Sequence, residues 1–223
     1  MIRRAIDVAV AAAALVLLSP LLALVAIAVA ASSPGGPFYA AWRAGRDGRP
    51  FRLWKFRTMI RDADRQGPAI TGPRDRRITW LGLWLRRAKL DELPQLYNLL
   101  RGDITLVGPR PEALSVVRHY TAAQRAVLAL QPGITGPSQL EAGEEAERIP
   151  PGADPEEYYL THLLGPKILR DLEYARTRTA WTDAVCVART AWRVIVAAAA
   201  PLLPSGVGRR RNVHKPAGAV SAD

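Results

Sequence analysis

The run from Val8 to Ala31 is apolar throughout except for Ser19 and Pro20, and it constrains this chain more than any other stretch. As one straight helix it would extend about 36 Å, enough to cross the hydrocarbon core of a bilayer. Three readings compete. A cleaved secretory signal would use Arg3 and Arg4 as its basic start and Ala28-Val29-Ala30 as its cleavage site, but the apolar part is longer than such signals carry. An ordinary membrane-spanning helix fits the length. A re-entrant hairpin, dipping into one leaflet and returning, fits the midpoint break at Ser19-Pro20. Proline there removes a helical hydrogen bond and crowds the preceding turn, and a neighbouring hydroxyl can satisfy the freed carbonyl. Arg3 and Arg4 precede the run, and Arg43, Arg46, Arg49 and Arg52 follow it. Positive charge at both ends disfavours placing those ends on opposite faces of a membrane.

The 223 residues suffice for one domain with a real core, and 31 Lys and Arg against 20 Asp and Glu leave a net charge of +11. Such a chain seeks anions: nucleic acid, anionic lipid or phosphorylated substrates. Nucleic acid fits poorly beside a long apolar opening and no nucleic-acid motif, and is not expected as a partner. The single Cys186 excludes an internal disulfide. A second membrane-seeking stretch, Ala180 to Leu203, carries Trp181, Val185, Trp192 and Ile195, interrupted by Asp183, Arg189 and Arg193. Each charge would cost about 2.5–3.5 kcal/mol at a bilayer centre, so this stretch reads either as an interfacial amphipathic helix or as one packed on the domain. Beyond it lies a basic tail containing Arg209-Arg210-Arg211, read as disordered and able to meet anionic lipid. The expected organisation is a membrane segment over 1–35, a catalytic domain over 36–204 and a tail over 205–223.

The globular part reads as mixed α/β with helices dominant. Pro50 to Met59 is extended, Trp80 to Lys89 helical, Ile104 to Val107 a short strand and Ala122 to Leu130 helical. Glu141 to Pro155 reads as an acidic loop, and Tyr158 to Tyr174 as helical with an interruption at Gly165-Pro166. Within it, Leu90-Asp91-Glu92-Leu93-Pro94 sets two adjacent carboxylates where a helix should begin. Pro94 suits a first turn, Leu96, Leu99 and Leu100 recur at helical spacing, and Gly102 stops the helix. That places Asp91 near an N-cap, a position that also attracts phosphate. By themselves these residues could simply cap a helix. Gly108-Pro109-Arg110-Pro111 holds Arg110 extended between prolines, suited to aiming a guanidinium at a diphosphate or to forming a rigid turn. In Pro132-Gly133-Ile134-Thr135-Gly136 the glycines are expected to supply unusual backbone angles.

Taken in order, Phe51 to Met59 with Lys55 and Arg57, then Asp75, Arg77, Thr79, Gly82, Leu85 and Arg86, then Asp91-Glu92, Gly108 to Glu112, Pro132 to Gly136 and Gln139 closely resemble the bacterial sugar transferases called monotopic phosphoglycosyl transferases. The resemblance covers about residues 3 to 195, and the chain looks like a minimal form of that family, without the extra transmembrane helices of larger members. It implies a small membrane-associated domain with an N-terminal re-entrant hairpin broken at Ser19-Pro20, on the bacterial inner membrane with the catalytic part facing the cytoplasm. It implies transfer of a sugar-1-phosphate from a UDP-sugar to undecaprenyl phosphate, the first membrane step of exopolysaccharide, O-antigen or glycoconjugate synthesis. A carboxylate can attack phosphorus to form an acyl phosphate. Asp91 is then the nucleophile that expels UMP, and Glu92 assists. Asp91 and Glu92 would hold Mg²⁺ (or Mn²⁺), and Lys55, Arg57, Arg86 and Arg110 would bind substrate phosphates. A homodimer is compatible with the sequence, although no heptad or apolar patch argues for it.

Three positions depart from the family pattern. Gln131 replaces a common arginine, Ala44 a larger residue, and Pro137 a bulkier apolar one. These are expected to bear on the donor sugar more than on the reaction. Two other classes stay open. A nucleotide-sugar glycosyl transferase releasing UDP would more often show an Asp-x-Asp metal site, and Asp62-Ala63-Asp64 is the only such pair found. A non-catalytic basic membrane scaffold would explain the charge and apolar segments but not the ordered motifs.

Overall fold

A computed structural model describes residues 2–67, 70–71, 75–142 and 148–199. Helix α1 (Ile2–Ser32) leads into an antiparallel hairpin of β1 (Phe38–Ala44) and β2 (Pro50–Phe56). After them come α2 (Trp80–Arg87), α3 (Gln95–Arg101), β3 (Thr105–Val107), α4 (Leu114–Arg118) and β4 (Gly133–Thr135). The chain closes with α5 (Pro137–Ala142), α6 (Pro155–Tyr158), α7 (Leu164–Thr177) and α8 (Ala180–Ala199). This is the helix-dominated α/β composition expected. The tail assigned to 205–223 lies outside the described residues.

Helix α1 runs through Ser19 and Pro20 without separating into two helices. The proline cannot bond the carbonyl of Val16, and the Ser19 hydroxyl donates to that same carbonyl at 2.8 Å. Both halves of α1 pack on the globular part. Ala11 sits with Leu53, Leu96, Leu99 and Ile104. Val25 and Val29 sit with Phe56, Leu85, Ala88 and Leu90. At the start of the helix, the Arg4 guanidinium donates to the carbonyls of Leu99 and Leu100 at 2.6 Å each, at the C-terminal end of α3 where carbonyls run short of helical partners. Asp7, buried, accepts from the Thr105 hydroxyl at 2.7 Å and the Leu106 amide at 3.1 Å. The opposite face of α1 exposes Val16, Leu17, Leu24 and Ile27.

Of the motif residues upstream of the carboxylates, Asp75, Arg77, Thr79, Gly82 and Leu85 are scaffolding. Thr79 caps α2 by accepting from the Gly82 amide at 2.9 Å, and its own amide donates to the Thr58 carbonyl at 3.0 Å. Any Cβ on Gly82 would strike the Thr58 backbone, so glycine lets α2 lie against the end of the Lys55 strand. Arg77 is clamped by Asp75 through bonds of 2.6–3.0 Å and reaches the Ala63 carbonyl at 3.1 Å. Leu85 is in the core. The net result is a fixed base for Arg86.

Strands β3 and β4 pair in parallel, Thr105 opposite Gly133 and Val107 opposite Thr135. Here the glycine expectation is corrected. Gly133 and Gly136 do not adopt positive φ; they are required because a Cβ at either would collide with the Gly108 backbone. Gly133→Ala is therefore expected to cost about 3 kcal/mol through overpacking. Gly165→Ala, in an uncrowded turn of α7, should be neutral or slightly stabilising. Paired thermal unfolding of the two variants checks this.

Other corrections are local. The stretch read as a helix over Ala122 to Leu130 forms a 3₁₀ run, Gln124–Ala129. Gly165-Pro166 does not interrupt the late helix: α7 includes both, and a π turn at Tyr159–Leu163 widens the backbone just before the residue that lacks an N–H. Helix α8 is packed on one side. Cys186 is buried, and the Thr190 and Thr135 hydroxyls lie 2.5 Å apart. Its other side exposes Trp181, Trp192 and Ile195.

Candidate active site

Asp91 does not stand at the N-cap of α3. Lys89 ends α2 in the left-handed conformation (φ 58°), Leu90–Glu92 forms a 3₁₀ turn, and α3 starts only at Gln95, with Pro94 as its cap. Leu93 and Pro94 are already right-handed helical, so the bend falls before the carboxylates rather than after them. A lysine held at positive φ stores strain beside the site, which the packing of Ala88 and Leu90 maintains.

This turn faces the inner side of the β1–β2 hairpin. Asn98, fully buried on α3, fastens the two together: its carbonyl accepts from the Trp54 amide at 2.9 Å, and its amide donates to the Arg52 carbonyl at 2.7 Å and to Asp103 at 2.9 Å. Lys55, next along β2, is thereby brought to Glu92, its Nζ 2.7 Å from Oε1. Arg110 reaches the same oxygen at 2.7 Å from the other side. Its loop leaves the β3–β4 pair under restraint, the Gly108 amide donating to Thr135 and the Gly133 amide to the Pro109 carbonyl. The second arm of Arg110 donates to Gln139 Oε1 at 3.3 Å. Arg86 donates to the Thr58 hydroxyl at 2.9 Å, and its charge acts on Asp91. Lys55, Arg86 and Arg110 thus converge on the carboxylate pair. Arg57 is directed elsewhere, its guanidinium donating to the carbonyls of Gly35 and Gly36 in the link between α1 and β1 and of Phe38 at the start of β1.

The adjacent carboxyls have opposite electrostatic fates. Burial would push Glu92 up, but the charges and hydrogen bonds of Arg110 and Lys55 outweigh it and hold the group well below the usual carboxylate range. For Asp91 burial wins. With the Glu92 charge added, it outweighs the opposing pull of Lys55, Arg86 and Lys89, and the carboxyl is pushed up to about 6. The surrounding side chains remain reachable: Lys55, Glu92 and Arg110 keep 17, 20 and 32% of their exposure. Such a site can receive an anion.

From sequence alone Arg43 reads only as a basic flank of the apolar segment. It belongs to the site. Tyr39, Ala41 and Arg43 share one face of β1, opposite Lys55, Leu53 and Phe51. The available signal is the alternation of Phe38 to Ala44, a strand absent from the sequence-based expectations. Asn98 is likewise legible as a polar residue between Leu96 and Leu99. Gln131 is engaged at the end of α3, its amide donating to the carbonyls of Gly102 and Asp103 at 3.0 and 2.8 Å. Ala44 is buried in the core, and Pro137 opens α5. In the Asp-x-Asp pair, Asp64 accepts from the Tyr39 hydroxyl at 2.8 Å and Asp62 lies beside Arg61. Among the described residues no group of three or more His, Cys, Asp or Glu is placed to hold a metal by itself.

These features match a known family. Residues 1–197 fit the family model for bacterial sugar transferases, and the chain belongs to that family. It is 37% identical over 194 residues to a UDP-glucose:undecaprenyl-phosphate glucose-1-phosphate transferase of Caulobacter vibrioides, covering 84% of this chain and 67% of that protein. An enzyme of the same name from Escherichia coli K12 is 35% identical over 205 residues, covering 90% of this chain and 41% of that protein. A UDP-N-acetylgalactosamine-undecaprenyl-phosphate N-acetylgalactosaminephosphotransferase of Aeromonas hydrophila is 31% identical over 192 residues, covering 85% and 42%. The chain therefore spans between about two fifths and two thirds of the length of these relatives.

Proposed function

We propose that this protein transfers a sugar-1-phosphate from a UDP-sugar to undecaprenyl phosphate through a phosphosugar bound covalently to Asp91. The observation that carries the reading is the split of the carboxylate pair. Glu92 is fixed as an anion between Lys55 and Arg110, and Asp91 is a buried, poorly stabilised carboxylate that is still ionised at neutral pH. A carboxylate so placed is a competent nucleophile. One Asp91 oxygen attacks the sugar-side phosphorus, a P–O bond forms, the bond to the bridging oxygen breaks, and UMP leaves with the electron pair. A phosphate oxygen of undecaprenyl phosphate then attacks the same phosphorus, and the acyl-phosphate bond breaks to restore Asp91. Arg86, Arg110 and Lys55 stabilise the charge that gathers on the phosphoryl oxygens. Glu92 keeps two of these cations in place.

Asp91 and Glu92 suit Mg²⁺ or Mn²⁺ as a pair, because Mg²⁺ is commonly held by one or two carboxylates, with water and substrate phosphates completing its shell. When bound, such an ion supplies charge neutralisation of the diphosphate. The named substrates of the relatives support both donor and acceptor classes, and they differ in the sugar.

The membrane placement we infer is re-entrant. Arg4 and Asp7 at one end of α1, and Val25 and Val29 near the other, dock on the same globular part, so both ends belong on one side of the bilayer. Pro20 is where a bend costs least. The exposed face of α1, with Trp80 and Trp84 of α2 and Trp181 and Trp192 of α8, is the surface offered to lipid at the cytoplasmic face of the bacterial inner membrane. The placement keeps Asp91, just beyond α2, near the plane of the acceptor's phosphate. The first step of exopolysaccharide or related glycoconjugate synthesis is the role that follows.

Nucleotide release in nanodiscs holding the protein, undecaprenyl phosphate and Mg²⁺ tests this, with UDP-glucose and UDP-N-acetylgalactosamine among the donors. Acceptor-dependent UMP is expected. UDP in its place would mean direct glycosyl transfer and would refute the mechanism.

A further inference from the structure

Arg43 is the one strongly basic side chain of the inner hairpin face that the mechanism above does not use. It lies on β1, and the charges acting on it include those of Glu112, Arg110 and Glu92, so it belongs to the same electrostatic cluster as the carboxylate pair. Its Nε is buried and makes no hydrogen bond. A guanidinium brought beside Arg110 and Lys55 adds like-charge repulsion as well as the cost of burial. That arrangement is unfavourable to the folded protein by itself and becomes favourable once an anion sits among the three cations.

The chain also carries a built support for Arg43. The Glu112 carbonyl accepts from the Ala44 amide at 2.9 Å, and Arg43 pairs with Ala113 in an isolated antiparallel bridge, so the strand that bears Arg43 is sewn to the segment that bears Arg110. The Glu112 carboxylate is itself held in place. It accepts from Lys167 at 2.7 Å and from the Tyr159 hydroxyl at 2.6 Å, and the Lys167 ammonium donates to that hydroxyl at 2.8 Å. Tyr159 is fully buried and Lys167 nearly so. Glu112 is the first counter-charge that holds the Arg43 cation against its burial.

We propose that Arg43 is a further cation for the donor diphosphate, beyond Lys55, Arg86 and Arg110, and that Glu112, anchored by Lys167 and Tyr159, is the positioning residue that presents Arg43 and Arg110 together. This rests on the UDP-sugar reading above. It predicts that the contact is with the phosphates and not with the base or the sugar.

Equilibrium binding of UDP and of uridine to the full chain in nanodiscs separates these. Arg43→Met is expected to weaken UDP binding by at least about tenfold, the scale of a charge-assisted hydrogen bond, with uridine unchanged. Arg43→Lys should restore part of the loss. Glu112→Gln should weaken UDP in the same selective way, raising the donor KM more than it lowers kcat. A smaller UDP loss in Arg43→Met overturns the proposal, as does an equal loss for uridine, which would mark collapse of the pocket. If the wild-type protein turns over UDP-sugars normally while Arg43→Met keeps wild-type UDP affinity, this inference alone fails. If the wild-type protein binds no UDP, the donor reading fails and takes the inference with it.

Discussion

Asp91→Asn is expected to abolish turnover and, in the same variant, to raise the melting temperature. The activity loss should reach about 10⁴-fold or more, as when a nucleophile is removed from a machinery that acts as a unit. The stability gain follows from linkage. The folded protein pushes the Asp91 carboxyl from its ordinary 3.8 to about 6. The native state therefore holds that proton more tightly than the unfolded chain. The stability this contributes is fully present below the ordinary pKa and is lost as pH rises through about 6. At neutral pH the ionised group costs on the order of 3 kcal/mol, because each tenfold change in proton affinity is worth about 1.4 kcal/mol. Asparagine carries no charge and avoids that cost, so Tm should rise by on the order of 5 °C above pH 7, with the difference shrinking toward pH 4. In the wild-type protein, turnover should fall as pH drops below about 6, because a protonated Asp91 is no nucleophile. Melting curves of both proteins from pH 4 to 8, with initial rates at each pH, decide this. A variant destabilised at every pH would mean that Asp91 is a structural anchor.

Deleting residues 1–31 should prevent stable folding of the remainder, a larger effect than losing the membrane-held acceptor alone. The deletion removes Ala11, Val25 and Val29 from two of the core clusters and uncovers Leu99, Ile104, Phe56 and Leu85. Exposing a buried side chain of this size costs about 1.5–3 kcal/mol each, so several together exceed the margin of a typical domain. It also removes the Arg4 bonds to the end of α3 and the Asp7 bonds to β3. The smaller Asp7→Ala change isolates one part of this. It leaves the Leu106 amide and Thr105 hydroxyl without their acceptor and should cost about 1–3 kcal/mol. Refolding trials of the truncated protein, with hydrogen exchange over 95–107, provide the check. A soluble, cooperatively unfolding truncation would show that α1 is only an anchor.

The carboxylates, Lys55, Arg86 and Arg110 are legible in the sequence because each sits in a short motif whose spacing is local. What escapes it is non-local. Strand β1 lies between Gly35-Gly36 and Gly45–Gly48, but its sequence does not say which face turns inward until Leu53 and Lys55 pair with it. The reason for Gly133 lies in Gly108, just past the end of β3, whose backbone no helical or strand period connects to it. Arg43 can be counted as a charge but not aimed until the hairpin register puts it on the face of Lys55. Arg57 shows the converse: its motif places it beside Lys55, but β2 ends at Phe56, and the freed side chain reaches the carbonyls that follow α1. Gln131 differs from the family pattern yet makes paired carbonyl contacts that need only an amide.

The most direct test is intact-protein and peptide mass spectrometry after the full chain, in nanodiscs with Mg²⁺ and no acceptor, meets its UDP-sugar. A mass increase of one sugar phosphate on the peptide that contains Asp91, discharged when undecaprenyl phosphate is added, is the predicted result. Turnover with acceptor but no such adduct, or an adduct on another residue, would contradict the role assigned to Asp91.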